Sequence, residues 1–181
     1  MEARETDFQR LMNSALQFVV PIYQRTYSWT EKQCQELWRD IISVANSENR
    51  KHFIGSIVYI DLGVTIIGKP QQKLLIDGQQ RITTVSILLC ALARYITLNG
   101  LEDELSPKKI INYFLINNEE SGNDRYKLLL TEQDKETFIA LLDGTEDRVG
   151  ESSIRINKNF ELFQKLISES KESVMKIYEG I

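Results

Sequence analysis

Histidine is nearly missing from this chain of 181 residues: His52 is the only one. A self-contained histidine-based metal nuclease needs a second histidine or a set of cysteines, so that class is excluded. Cysteine is almost as scarce. Cys34 and Cys90 both fall on apolar helical stripes and read as buried thiols in a reducing cytoplasm, with nothing in the sequence to support a disulfide. A basic excess is also lacking, with 22 Lys and Arg against 26 Asp and Glu and a net charge of −4. Residues 1–90 hold ten Lys and Arg against nine acids, and residues 91–181 hold twelve against seventeen. A global basic footprint for nucleic acid is therefore absent, and any DNA contact is expected from a local patch in the first half. The longest apolar run, near Val85–Ala93, is far short of the roughly 20 residues of a membrane span. Met1-Glu2-Ala3-Arg4-Glu5 opens an acidic amphipathic stretch rather than a signal peptide. A cytoplasmic chain with no membrane partner is expected.

What is present is an ordinary globular composition, 42% hydrophobic and 27% charged, at a length that supports one sizeable core. Phe8, Leu11, Met12 and Ala15 have helical spacing, and Phe18-Val19-Val20 is a short β-like run before Pro21. A capping box, Ser28 with Glu31 or Thr30 with Gln33, opens a helix whose stripe is Cys34, Leu37, Trp38, Ile41, Ile42 and Ala45. His52–Ile60 reads as a buried strand. Val64–Ile67 and Lys73–Ile76 read as two more strands around the turn Gly68-Lys69-Pro70. From about Thr83 to Leu98 the chain is apolar nearly all round, which predicts a central buried helix ended by Asn99-Gly100. Further helices are expected after Ser106-Pro107 and Thr131, with a strand at Tyr126–Leu130 between them, and a last helix runs from Ser153 through Ile177. With only Gly180 as a stop signal, the chain reads as the N-terminal part of something longer.

The chemistry concentrates at Asp77-Gly78-Gln79-Gln80-Arg81, between a strand and the buried helix. A helix N-terminus presents N–H groups and a positive dipole end to anions. There Gly78 would allow close approach of a phosphate, Arg81 would pair with its oxygens, and Asp77 would hold a Mg²⁺. Gln79 or Gln80 would orient an attacking water. The plainer alternative is an Asp-Gly turn with solvated polar side chains. A second cluster, Pro21–Trp29, offers Arg25 as another phosphate-facing cation and Tyr23, Tyr27 or Trp29 as stacking rings. Its alternative is aromatic core with a surface arginine. His52 is either a donor at a ligand site or a satisfied, partly buried histidine. Ser56, His52 and Asp61 share one strand and cannot form a triad. Glu169-Ser170-Lys171 has no partner carboxylate on a strand.

Four ordered segments together carry a resemblance. They are Phe18-Val19-Val20-Pro21-Ile22-Tyr23-Gln24-Arg25 with Tyr27, Trp29 and Leu37-Trp38-x-Asp40-Ile41; His52–Val58; Ile76–Thr84; and Ser153–Phe163. The chain resembles the DGQQR-motif domain at the N-terminus of GmrSD-type modification-dependent (type IV) restriction systems. The resemblance implies an α+β fold like the ParB/sulfiredoxin group, a small sheet packed with helices over residues 1–105, followed by a mostly helical extension over residues 106–181. It implies a nucleoside triphosphate-binding or -hydrolysing sensor, assisted by Mg²⁺ at Asp77. Asp77, Gln79, Gln80 and Arg81 would be catalytic, and Gly78, Arg81, Arg25, Tyr23, Gln24 and His52 would bind nucleotide. A non-hydrolysing nucleotide or modified-DNA binding module is the alternative. The implied partners are modified DNA, an HNH-like nuclease region or subunit absent from this chain, and a second copy in a homo-oligomer.

Overall fold

The computed structural model describes residues 6–47, 52–63, 68–146 and 153–181. It is an α+β protein built on a mixed four-stranded sheet in the order β2-β3-β1-β4. The central strand β1 (Leu16–Val19) pairs in parallel with β3 (Gln71–Asp77) and with β4 (Leu128–Leu129). On the far side of β3, β2 (Val58–Asp61) pairs antiparallel. Leu16 and Phe18 are buried on β1, and Gln17 is fully buried beside them. Its amide is satisfied there, donating to the Asn123 and Tyr126 carbonyls and accepting from Gln72 at 2.9 Å.

Helix α3 (Gln79–Asn99) follows β3 through the single residue Gly78, and Gly100 closes it in the left-handed conformation expected of a C-terminal glycine. Fifteen of its residues are buried, including Gln79 and Gln80 ahead of the apolar run. The central buried helix read from the sequence is therefore present, starting four residues earlier than Thr83. By length and hydropathy α3 is long and apolar enough to cross a membrane, yet 72% of its apolar window is buried inside the protein. Its neighbours are α6 (Ile154–Glu169), α4 (Pro107–Ile110) and the π-helical turn Ile111–Leu115 that extends α4. Residues on both sides of position 105 thus share one hydrophobic core.

Around this core, α1 (Phe8–Met12) opens the chain and α5 (Glu132–Asp143) runs from Thr131 to Gly144. Helix α2 (Glu31–Ala45) starts at Thr30, whose N–H donates to Gln33 Oε1 at 2.7 Å, the second of the two capping pairs read from the sequence. Two expectations fail. His52–Ile60 is not a buried strand: pairing begins only at Val58, and Tyr59 and Ile60 are 37% and 55% exposed. The reason is its place at the sheet edge, where no strand among the described residues covers the outer side. The last helix is not continuous either. It stops at Glu169, and Ser173 accepts from the Lys176 N–H to start α7 (Val174–Gly180), which turns back onto α2. The expected strand Val64–Ile67 lies outside the described residues.

Lys127 is buried next to β4, and its Nζ donates to the carbonyls of Met12 (2.8 Å) and Ser14 (2.6 Å). Burial pushes its pKa down from 10.5 to about 8. A neutral amine still has the two protons these carbonyls need. Between about pH 8 and 10.5 the unfolded chain holds this proton and the folded one does not, so stability rises with pH through that window. The buried thiols pull the other way above 9, since burial raises Cys34 to about 11 and Cys90 to about 12. Urea melts at pH 8 and pH 9 should therefore show the folded state gaining stability, and Lys127→Met should remove the gain.

Candidate functional site

Gly78 has φ 94°, a left-handed conformation that permits the abrupt passage from β3 into α3. A Cβ at Gly78 would lie 2.9 Å from Ile57 Cγ1 and 3.2 Å from the Ser56 carbonyl oxygen. The close approach at this glycine is therefore to the chain's own 56–57 segment. No side chain caps α3. The N–H groups of its first turn depend on other partners, as at any helix start.

The two glutamines face away from solvent and hold the Tyr23–Trp29 loop. Gln79 Nε2 donates to the Arg25 carbonyl at 3.0 Å, and Gln80 Nε2 donates to the Thr26 carbonyl at 3.2 Å. Gln80 Oε1 accepts from the Ser28 N–H at 2.8 Å and from its hydroxyl at 3.4 Å. Gln24 reciprocates from the loop, donating to the Ile76 carbonyl at 2.9 Å. A loop some fifty residues upstream is thereby fastened to the end of β3 and the start of α3. Of the pair, only Gln79 keeps an unused group: its Oε1 is enclosed and has no hydrogen-bond partner.

Arg81 crosses to the other side of the turn. Its Nη2 donates to the Ser56 carbonyl and sits 3.5 Å from Asp77 Oδ2. The guanidinium lies against Gly55, where a Cβ would come within 3.0 Å of Cζ. Its Nε is buried without a partner. Arg81 lines a cavity of about 190 Å³ together with His52, Trp29, Glu36, Asp40 and Phe53. His52 Nε2 lies 3.2 Å from Asp40 Oδ2, with both side chains 44% exposed. All three of the first sequence segments thus reach the same cavity, the first with Trp29 and Asp40, the second with His52 and Phe53, and the third with Arg81.

The remaining candidates are dispersed. Asp77 is mostly exposed, and Arg81 is the one side-chain polar partner of its carboxylate among the described residues. Arg25 gives its carbonyl to Gln79, while its exposed guanidinium has no partner among the described residues. Tyr23 is 72% exposed beside Ile22 at 90%, so neither is core. Tyr27 is core: its hydroxyl bonds Thr84 Oγ1 at 2.8 Å and accepts from Asn159 Nδ2 at 2.9 Å. Burial drives its pKa far above the usual phenol range. Among the described residues no group of three or more His, Cys, Asp or Glu gathers to hold a metal. Asp77 suits Mg²⁺ only in the mode where phosphates and waters supply most ligands.

A family model for the N-terminal domain of the GmrSD restriction endonucleases matches residues 8–181. The chain belongs to that family. No curated protein matches its sequence. This GmrSD N-terminal domain is accordingly a module of a type IV restriction and defence protein. Sequence reasoning missed Asp134, whose carboxylate accepts the Tyr27 N–H at 2.5 Å, and Asn159. Asn159 had a visible signal: it is a polar residue inside the stripe Ile156, Phe160, Phe163 of α6. Asp134 had none, since acids in the first turn of a helix are commonplace.

Proposed function

We propose that this GmrSD N-terminal domain is a nucleotide-responsive sensor that governs a nuclease lying outside the chain and directed at modified DNA. The observation carrying this is the convergence of Trp29, His52 and Arg81 on one cavity at the first turn of α3. At about 190 Å³ the cavity is smaller than the roughly 300–1000 Å³ of pockets that swallow a whole drug-sized ligand. It suits the ring or sugar of a nucleotide, with Trp29 and Phe53 as apolar walls and the Glu36 and Asp40 carboxylates accepting from amino or hydroxyl groups. Those carboxylates repel phosphate. The phosphates therefore belong at the Arg81 edge, toward the α3 N-terminus, with Arg25 as the second cation. Asp77 would hold the accompanying Mg²⁺, which neutralises charge on the phosphate oxygens.

Binding and sensing fit this geometry better than turnover. Gln80 has both ends of its amide tied to residues 26–28, and its carbonyl oxygen, the group that would orient an attacking water, is taken by the Ser28 N–H and hydroxyl. Gln79 Oε1 is an unused acceptor but is shut off from solvent. Hydrolysis is the second reading, favoured by that single spare acceptor.

With ATP, GTP, CTP or UTP and Mg²⁺ at about 100 times the dissociation constant, the folded state should gain about 2.7 kcal/mol. Arg81→Ala should lose that shift while still melting cooperatively. Equal melting of both proteins with every nucleotide would refute the reading, and phosphate release measured alongside separates turnover from binding.

A further inference from the structure

A second cavity, of about 230 Å³, shares Trp29 with the first and is lined by Lys32, Arg155 and Lys158 together with Glu31. None of the three cations has a hydrogen-bond or ion-pair partner among the described residues. They stand out in a chain whose net charge is −4 and whose second half is the more acidic. Their placement also works against the helices that carry them. Arg155 is in the first turn of α6, which has no acidic residue there, and Lys32 is in the first turn of α2. A cation at a helix N-terminus opposes the dipole, whereas an anion there is stabilised. Two positive helix ends and three cations thus face one cleft.

The cleft is also held in shape. Asn159 on α6 donates to the Trp29 carbonyl and to the Tyr27 hydroxyl, each at 2.9 Å, which pins α6 to the loop leading into α2. The walls are therefore set before any ligand arrives. Arg155 and Lys158 project from α6 one turn apart, a spacing that places both on one face.

We propose that the Lys32–Arg155–Lys158 cleft is a contact for the phosphate backbone of duplex DNA. It is separate from the nucleotide site and independent of base sequence and base modification. DNA is favoured over other polyanions because the chain belongs to a restriction endonuclease family. The cations bind phosphate oxygens and displace condensed counterions, so the contact weakens with salt. The cations of this cleft come from both halves of the chain, two of the three from α6.

Fluorescence anisotropy with a short labelled duplex, titrated by the 181-residue chain at several salt concentrations, tests this. Arg155→Gln/Lys158→Gln should weaken binding roughly tenfold at low salt and lower the salt slope by about 1.8. Its melting temperature should not fall, since Arg155 opposes the α6 dipole, and its response to nucleotide should be unchanged. Lys165→Gln/Lys171→Gln, with the same charge change elsewhere on the surface, should bind like wild type. No DNA binding by the wild type, or an equal loss in the two double variants, would overturn the proposal. Binding of phosphatidylserine vesicles in place of DNA would overturn it as well.

Discussion

Gln80→Ala is expected to cost about 3 kcal/mol of folding free energy, because two backbone groups lose their partners at once. The Ser28 N–H and the Thr26 carbonyl both end on the Gln80 amide. Both bonds are part-buried, so each lost partner costs about 1 kcal/mol, the low end of the roughly 1–3 kcal/mol of a fully buried group, and the space emptied by the buried Gln80 side chain supplies the rest. For a domain of this length that lowers the midpoint of thermal unfolding by about 6–12 °C. The loop from Tyr23 to Trp29 should loosen with it, and with it Arg25 and the Trp29 wall of the cavity. Gln80→Glu sharpens the test. A glutamate keeps the acceptor for Ser28 but presents an oxygen to the Thr26 carbonyl, so it should fall between wild type and alanine. Thermal melts of the three proteins decide the matter; an alanine variant as stable as wild type would show that the amide is not the tether.

Gly78→Ala should be at least as damaging. The left-handed φ of 94° carries a penalty of about 1–2 kcal/mol for any side chain. The new Cβ would also meet Ile57 and the Ser56 carbonyl, and overpacking of that kind typically adds 1–3 kcal/mol. Together this is about 3 kcal/mol, or again about 6–12 °C. Gly100→Ala is the natural comparison, since Gly100 also has positive φ (66°) but no atom within 4 Å of the added Cβ. It should show the conformational cost alone. The excess at Gly78 measures the contact with the 56–57 segment. Since Ser56 also anchors Arg81, moving it should cost nucleotide response beyond what lost stability explains.

Much of this was legible in the sequence, for identifiable reasons. The apolar surface of α3 all the way round requires a helix enclosed by others, and Asn99-Gly100 supplies its end. Thr30 with Gln33 announces the start of α2. The role of the glutamines was not legible. Periodicity places the helix start near Thr83 and cannot see that Gln79 and Gln80 are buried by a loop fifty residues away. The same long-range blindness hid the edge position of β2: the run from Phe53 to Ile60 looks buried on both faces, although Phe53 is 81% exposed. The break after Glu169 carries neither proline nor glycine, and only Ser173 marks it as a new helix start. Arg81, His52 and Trp29 were each named as candidates, but only the packing of the 52–57 segment against α3 brings them to one cavity.

The account rests on nucleotide occupying the cavity between α2 and the start of α3. The most direct measurement is a crystallographic difference map after soaking the chain with nucleoside triphosphate and Mg²⁺. The predicted result is phosphate density within hydrogen-bond reach of the Arg81 guanidinium, with the ring between Trp29 and Phe53. Density for the nucleotide elsewhere on the surface, with Arg81 still bonded only to Ser56 and Asp77, would contradict it.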